Sequence, residues 1–250
     1  MNAKPLNAQR TRIKICGLTR EQDVDAAVAA GADAVGFVLY AKSPRYVSIQ
    51  RAAELASRLP PFVTPVLLYV NENTTNIIAN YEHLTRAIAQ FHGDETPVQC
   101  LEATLQGLHA YLRAARIPLD QDDMIGAKGF DLVKYAQDYS QAQAILLDAH
   151  VDGYGGGGKV FNWSLLPPSV NAHLVLSGGL TAANVADGIL QVRPRCKTLA
   201  VDVSSGVELD GPDGQPVKGI KDADKIYRFV AAVRAADRQF DNTAGQTSTP

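Results

Sequence analysis

The feature that most constrains this 250-residue chain is a repeated alternation: short β-prone runs, each followed by a stretch with helical spacing of apolar residues. Strands are expected at Arg12–Cys16, Ala34–Leu39, Val66–Val70, Ala87–His92, Tyr111–Ile117, Ala144–Asp148, His173–Leu176 and Leu199–Val203. Ala- and Leu-rich segments such as Arg20–Ala30, Ile49–Leu59, Asp131–Ser140 and Ala182–Leu190 lie between them. Strands alternating with helices pair in parallel through right-handed crossovers. Eight such units in about 250 residues match an α/β fold of the (β/α)8 barrel type, a TIM barrel of one domain. A doubly wound open sheet has fewer strands and a glycine fingerprint after the first. Here that turn reads Cys16-Gly17-Leu18-Thr19, without GxGxxG. The barrel is expected over residues 12–236. The first eleven residues and the stretch from Asp237 to Pro250, rich in Gln, Ser, Thr and Gly, are expected to be disordered. The acidic stretch from Pro118 to Gly129 reads as a solvated loop.

Composition narrows the function. Lys and Arg number 24 against 26 Asp and Glu, a formal charge of −2, which argues against a basic nucleic-acid surface. No apolar run approaches the roughly 20 residues that span a bilayer, and Met1–Arg12 lacks the apolar core of a secretion signal. The three cysteines, Cys16, Cys100 and Cys196, are widely spaced with no CxxC pair. That pattern argues against a disulfide framework or a structural zinc site and fits a reducing cytoplasm.

Chemistry in such a barrel gathers where strands end. The first expected strand ends in Cys16, the fourth in His92, the sixth in Asp148, and the eighth carries Asp202. Alternate residues of a strand face opposite sides. Ile13 and Ile15 oppose Cys16, Ile145 and Leu147 oppose Asp148, and Leu199, Val201 and Val203 oppose Asp202. With the aliphatic side under the helices, Cys16, Asp148 and Asp202 point into one mouth. A lone cysteine is more often a small buried hydrophobe, and an aspartate at a strand end is often a helix cap. Three from different strands favour function. His92, in His92-Gly93-Asp94-Glu95, also reads as a residue orienting its loop.

Two glycine-bearing loops follow the last strands: Ser177-Gly178-Gly179-Leu180-Thr181 and Ser204-Ser205-Gly206. Barrels commonly bind phosphate there, because glycine lets backbone N–H groups approach the oxygens. A Gly-Gly turn alone is also an ordinary cap; two in these positions favour a phosphorylated small-molecule substrate. The run Gly155–Gly158 reads as a surface loop or a mobile segment over the substrate. Arg45, in Lys42-Ser43-Pro44-Arg45-Tyr46-Val47-Ser48, reads as a solvated arginine or a carboxylate-binding fork.

Together these segments resemble the phosphoribosylanthranilate isomerase family of tryptophan biosynthesis. The resemblance runs from Lys14 to about Val233. It is carried by Lys14-Ile15-Cys16-Gly17-Leu18-Thr19-Arg20, Gly31-Ala32-Asp33-Ala34-Val35-Gly36-Phe37, Lys42-Ser43-Pro44-Arg45-Tyr46, Phe91-His92-Gly93-Asp94-Glu95, Leu146-Leu147-Asp148, Gly178-Gly179-Leu180 and Val201-Asp202-Val203-Ser204-Ser205-Gly206-Val207-Glu208. It implies a (β/α)8 barrel with no cofactor and no metal. The implied reaction is an Amadori rearrangement of N-(5-phosphoribosyl)anthranilate to 1-(2-carboxyphenylamino)-1-deoxyribulose 5-phosphate. By resemblance, Cys16 is the general base and Asp148 the general acid. Arg45 binds the anthranilate carboxylate, and Gly178, Gly179, Ser204, Ser205 and Gly206 bind phosphate. Asp202 and His92 join the substrate site with their roles left open; pointing into the same mouth, Asp202 is a negative charge able to raise the pKa of Asp148. The glycine run departs from the family in lacking Thr or Pro, and Asp210–Gln215 reads as a surface insertion. Monomer and homodimer are both compatible. The Cys16 sulfur, as a base, is expected to be reachable by solvent. Two alternatives are weighed: a related barrel, such as a synthase with a catalytic lysine or a sugar isomerase with aspartate on its first strand, and a non-catalytic sugar-phosphate binder. Cys16 on the first strand favours the isomerase.

Overall fold

The computed structural model describes residues 10–119, 130–149 and 160–246, with the side chains of 241–246 left aside. The expected acidic loop within 120–129 and the glycine run at 155–158 lie outside the described residues.

Eight strands close into a barrel in chain order: β1 (Arg12–Cys16), β2 (Ala34–Val38), β3 (Thr64–Tyr69), β4 (Ile88–Phe91), β5 (Tyr111–Ile117), β6 (Ala144–Ala149), β7 (Leu174–Leu176) and β8 (Leu199–Val203). Each neighbouring pair is parallel, and β1 closes on β8 with Lys14 opposite Asp202. The helices are α1 (Glu21–Ala30), α2 (Ile49–Ala56), α3 (Thr74–His83), α4 (Pro97–Ala103), α5 (Leu132–Asp138), α6 (Val185–Val192) and α7 (Ala223–Gln246). After β6 the described residues hold a 3₁₀ turn, Trp163–Leu165, in place of a helix. Side-chain caps fix several starts: Ser48 accepts from the Arg51 N–H ahead of α2, and Thr96 with Gln99 forms a reciprocal capping box ahead of α4.

Parity along the strands partitions the core. Ile13, Ile15, Phe37, Leu67, Phe91, Leu147 and Val201 pack outward under the helices. The smaller set inside the barrel includes Val66, Leu112, Ala114, Ala144, Leu146 and Val175. Interior residues that short leave a funnel of about 1170 Å³ at the N-terminal mouth, lined by Arg12, Ala34, Ala144 and Ala200 among others. Apart from Lys14 it holds none of the ionisable candidates, which sit at the opposite end.

Three differences from the sequence reading stand out. Strand β3 starts at Thr64 and includes Pro65, which pairs in register with Val35. The insertion Asp210–Gln215 is the tip of an antiparallel hairpin, β9 (Glu208–Asp210) with β10 (Pro216–Lys221), turning through Gly214 at φ +74°. Residues 237–246, expected to belong to a disordered tail, instead continue α7 to Gln246, and 247–250 lie outside the described residues. Its continuation has a physical anchor in Asp237, which accepts hydrogen bonds from the Thr11 backbone N–H at 3.2 Å and the Thr11 hydroxyl at 2.6 Å. Asp237 also pairs with the guanidinium of Arg193, a side chain only 2% exposed. That clamp lies outside the barrel boundaries expected from composition.

Removing the carboxylate leaves Arg193 buried without its counter-charge. Asp237→Ala is therefore expected to lower the unfolding free energy by about 3 kcal/mol, read from urea denaturation. A change under about 0.5 kcal/mol, the range of ordinary surface substitutions, would show that the helix beyond Ala236 stands outside the cooperative unit.

Candidate active site

At the C-terminal mouth the ends of β1 and β8 meet. Lys14 shares its face of β1 with Cys16 and reaches across the closing seam, its Nζ 2.9 Å from Asp202 Oδ1, with both side chains buried. Its charge also acts on Cys16, whose sulfur faces the same point of β2. Cys16 and Lys14 crowd the backbone of β2: a side-chain carbon at Gly36 would stand 2.6 Å from Cys16 Sγ and 3.1 Å from Lys14 Nζ. Burial pulls the Lys14 ammonium down, but the Asp202 carboxylate, with Cys16 when it is ionised, outweighs it and raises Lys14 above its ordinary value. The Cys16 thiol is pushed above its ordinary value by burial first, with the Lys14 ammonium opposing and the Asp202 carboxylate adding to the rise. The thiol is 4% exposed, so the expectation of a solvent-reachable sulfur is corrected: it is enclosed by β2 and by its own lysine neighbour. Cys100 is buried within α4, and Cys196 is half-buried near the end of α6.

Across the mouth, Asp148 near the end of β6 is held on both oxygens. Its Oδ2 lies 2.9 Å from His92 Nε2, and its Oδ1 accepts from the Ala149 N–H at 3.0 Å. His92 follows β4 directly and is braced from behind by Gln90, whose Nε2 is 3.0 Å from Nδ1. Donor and acceptor roles along this chain follow the imidazole tautomer: with the proton on Nδ1 and the Gln90 amide turned to accept it, Nε2 accepts from a protonated Asp148 carboxyl, and with the proton on Nε2 the imidazole donates to the carboxylate. The loop carrying His92 is itself fixed by Arg113, which donates to the carbonyls of Phe91 and Gly93 and pairs with Glu95. Asp202, expected to face Asp148 as a bare negative charge, is instead neutralised by Lys14.

The two glycine loops come together beside Asp148. A carbon added at Gly178 (φ +79°) would lie 3.0 Å from Asp148 Oδ1, and one at Gly206 would collide with the Leu180 carbonyl at 1.9 Å. Only glycine allows the β7 loop to rest on the carboxylate and the β8 loop to rest on the β7 loop. Gly179 is tied by Asn184, which donates to its carbonyl at 3.0 Å. Ser204 and Ser205 enter the short 3₁₀ turn after β8.

Arg45, in the loop after β2, is buried rather than solvated. Its Nε and Nη2 grip Glu208 at 2.7 and 2.8 Å in a side-on fork. Glu208 is wholly buried and also accepts from the Gly219 N–H at 2.8 Å and from Lys221 Nζ at 3.3 Å. Burial pulls the Lys221 ammonium down to about 8, against the attraction of Glu208. Burial works against the Glu208 carboxylate too, yet Arg45, Lys221 and the Gly219 N–H hold it below its ordinary value.

Parity thus located Cys16, Asp148 and Asp202, while Lys14, Gln90, Glu208 and Lys221 went unassigned. Lys14 was visible as a charge on the Cys16 face of an otherwise apolar strand. Glu208 ends the quoted motif that starts at Val201, but nothing local says that it meets Lys221, thirteen residues on.

Fold and site together define a (β/α)8-barrel protein whose buried thiol, carboxyls and imidazole sit at the C-terminal mouth, where barrels of this architecture carry out catalysis. The sequence model of the family described as N-(5'phosphoribosyl)anthranilate (PRA) isomerase matches residues 13–232, and the chain belongs to that family. It is 60% identical over 228 residues to the N-(5'-phosphoribosyl)anthranilate isomerase of Methylibium petroleiphilum, covering 91% of this chain and 96% of that one. It is 56% identical over 241 residues to the protein of that name from Leptothrix cholodnii, covering 96% and 99%. Among solved structures, phosphoribosyl anthranilate isomerase from Thermotoga maritima superimposes with a TM-score of 0.74 at 37% identity, covering 90% of this chain and 99% of that one. A member solved with reduced 1-(o-carboxyphenylamino)-1-deoxyribulose 5-phosphate gives 0.71 at 34% identity, with the same coverage.

The electrostatics of Cys16 carry a prediction. Lys14→Met removes the cation that most strongly opposes the burial-driven rise of the Cys16 thiol, so the pH midpoint of Cys16 ionisation should rise by about one unit or more. Ultraviolet absorbance of the thiolate in a Cys100→Ala/Cys196→Ala background reads the midpoint without needing a reagent to reach the sulfur; an unchanged value would mean that Lys14 does not set the thiol's charge.

Proposed function

We propose that this chain is an isomerase of tryptophan biosynthesis that converts N-(5-phosphoribosyl)anthranilate to 1-(2-carboxyphenylamino)-1-deoxyribulose 5-phosphate, with Asp148 as general acid and Cys16 as general base. Asp148 gives its proton to the furanose ring oxygen as the C1–O bond breaks, leaving a hydroxyl and a C1=N iminium. The cationic nitrogen acidifies the C2 proton, so a modest base suffices. Cys16 as thiolate removes that proton, and the electron pair forms the C1=C2 bond while neutralising nitrogen. The resulting enol becomes the C2 ketone as Cys16 returns its proton to C1 and the C2 hydroxyl proton passes to Asp148, so both groups regain their starting forms.

One observation carries the assignment: the two candidate proton-transfer groups of the family motifs, on β1 and β6, are both buried at the same mouth, each with a dedicated partner. Lys14 favours the thiolate form of Cys16. His92 and the Ala149 N–H fix the Asp148 carboxyl beside Gly178. The adjoining glycine loops suit the substrate phosphate, through backbone N–H groups and the Ser204 and Ser205 side chains. The unpaired edge of Arg45 suits the anthranilate carboxylate. His92 and Asp202 act through Asp148 and Lys14 rather than by touching substrate. The chemistry needs no metal or cofactor. The same reading places the enzyme in the cytoplasm, as a monomer or homodimer. No helix among the described residues is long and apolar enough to cross a membrane, and one Thermotoga maritima structure is of monomers generated from a dimeric family member.

Asp148→Asn keeps the shape but carries no transferable proton. Its kcat is expected to fall by about 10²–10⁴-fold, followed by the disappearance of substrate fluorescence, while substrate affinity stays close to the parent's. Retention of more than about a tenth of the parent kcat would remove Asp148 from the acid role. Cys16→Ser should be comparably impaired, since a hydroxyl is a far weaker base. Full activity in Cys16→Ala would sink the base assignment.

A further inference from the structure

The pair of buried charges at the base of the β9–β10 hairpin is used by none of the proton-transfer steps, yet it touches both ends of the candidate substrate site. Glu208 opens β9 and Lys221 closes β10, and the two stand opposite each other in the ladder. Glu208 gathers four donor contacts: Arg45 Nε and Nη2, the Gly219 N–H and Lys221 Nζ. Lys221 in turn donates to the Ser204 carbonyl at 2.9 Å and approaches the Ser204 hydroxyl at 3.3 Å. Its own backbone is held from the α1 side, where its N–H donates to Asp23 and its carbonyl accepts from Arg20. The cluster is close-packed. A carbon at Gly17 would lie 2.6 Å from Arg45 Cδ and 3.1 Å from Ser204 Oγ, so the β1, β2 and β8 loops meet at one point.

The geometry points to Glu208 and Lys221 as positioning residues that lock the carboxylate-binding arginine and the phosphate-binding loop into one rigid unit. This rests on the isomerase reading above for what Arg45 and Ser204 bind. A guanidinium has two bidentate edges. Glu208 takes the side-on edge, Nε with Nη2, and no described protein group is bonded to Nη1. The end-on edge is thereby left for a ligand, and the guanidinium plane is fixed by the two bonds to Glu208. Without Glu208 the same arginine has several rotatable bonds and no fixed direction, and ordering it on each binding event weakens affinity. Lys221 does for the β8 loop what Glu208 does for Arg45: it pins the Ser204 carbonyl, so that the N–H groups further along the turn keep their direction. Because Lys221 also contacts Glu208, a change at either residue reaches both ends of the substrate. The consequence falls on binding more than on proton transfer.

Two fragments separate the ends: anthranilate for the carboxylate side and inorganic phosphate for the other, each measured as a competitive inhibitor. Arg45→Ala is expected to weaken anthranilate alone. Glu208→Gln should raise KM and the anthranilate inhibition constant by about tenfold or more with kcat little changed, and should weaken phosphate to a lesser degree. Lys221→Met should weaken phosphate and, through Glu208, anthranilate as well. In the Glu208→Gln/Arg45→Ala double variant the loss of anthranilate affinity should equal that of Arg45→Ala alone, because Glu208 acts on that end only through the arginine. If Arg45→Ala weakens anthranilate while Glu208→Gln and Lys221→Met move neither constant, the positioning role is overturned and the isomerase site stands. Independent, multiplying losses in the double variant would overturn it too. If Arg45→Ala leaves anthranilate unaffected, the carboxylate role of Arg45 falls, and this inference with it. Should Glu208→Gln fail to accumulate as folded protein, Lys221→Met decides alone: a loss confined to phosphate refutes the coupling. Thermal melts of each variant separate these effects from general loosening of the fold.

Discussion

The ion pair between Lys14 and Asp202 lies on the seam where the first and last strands of the barrel close. Two buried charges are costly unless each is neutralised and hydrogen-bonded. Here neutralisation is possible only when β1 and β8 are in register, since the two residues are directly opposite in the ladder. The contact that tolerates charge inside the barrel is thus the one that reports correct closure. It also leaves the ammonium beside Cys16, so barrel closure and the electrostatics of the thiol depend on the same few atoms. A slip of one residue would turn Lys14 and Cys16 outward into the helical layer and bring Ile13 and Ile15 into the lumen.

Close approach of backbones is the second constraint, and glycine supplies it. Gly36 makes room for Cys16 and Lys14, Gly178 lets the β7 loop rest against Asp148, and Gly206 lets the β8 loop rest against Leu180. Each is a place where one more carbon would push apart two loops that have to meet. The mouth is therefore shaped from outside by backbone, and its charges are set by pairs buried beneath it.

Much of the fold was legible in the sequence because strand and helix periodicities differ and alternate regularly. β1, β5 and β8 fall where the alternation placed them. β3, expected from Val66, begins two residues earlier at Thr64 and takes in Pro65 at its second position, where a proline gives no local sign of a strand. The end of α7 was missed for another reason: Asp237 to Gln246 is polar and has no apolar stripe, and its anchor comes from Thr11, 226 residues away in sequence. The site divides in the same way. Which way Cys16, Asp148 and Asp202 point follows from parity and could be read locally. What they pair with could not, because Lys14 with Asp202 and Arg45 with Glu208 are separated by 188 and 163 residues. For Arg45 the local sequence left open a solvated arginine or a carboxylate-binding fork, because its burial is decided by a glutamate on a distant hairpin.

The clamp at Asp237 has a consequence for the topology of the chain. Thr11, just before β1, and Asp237, well along α7, are in hydrogen-bond contact at the end of the barrel away from the catalytic mouth. The start and finish of the barrel are therefore neighbours in space, and a short peptide bridge would join them into a ring without crossing the site. A ring can be reopened elsewhere, so the order in which the eight units are synthesised is separable from the structure they form. The same proximity lets another protein be fused at either end while the substrate entrance stays clear.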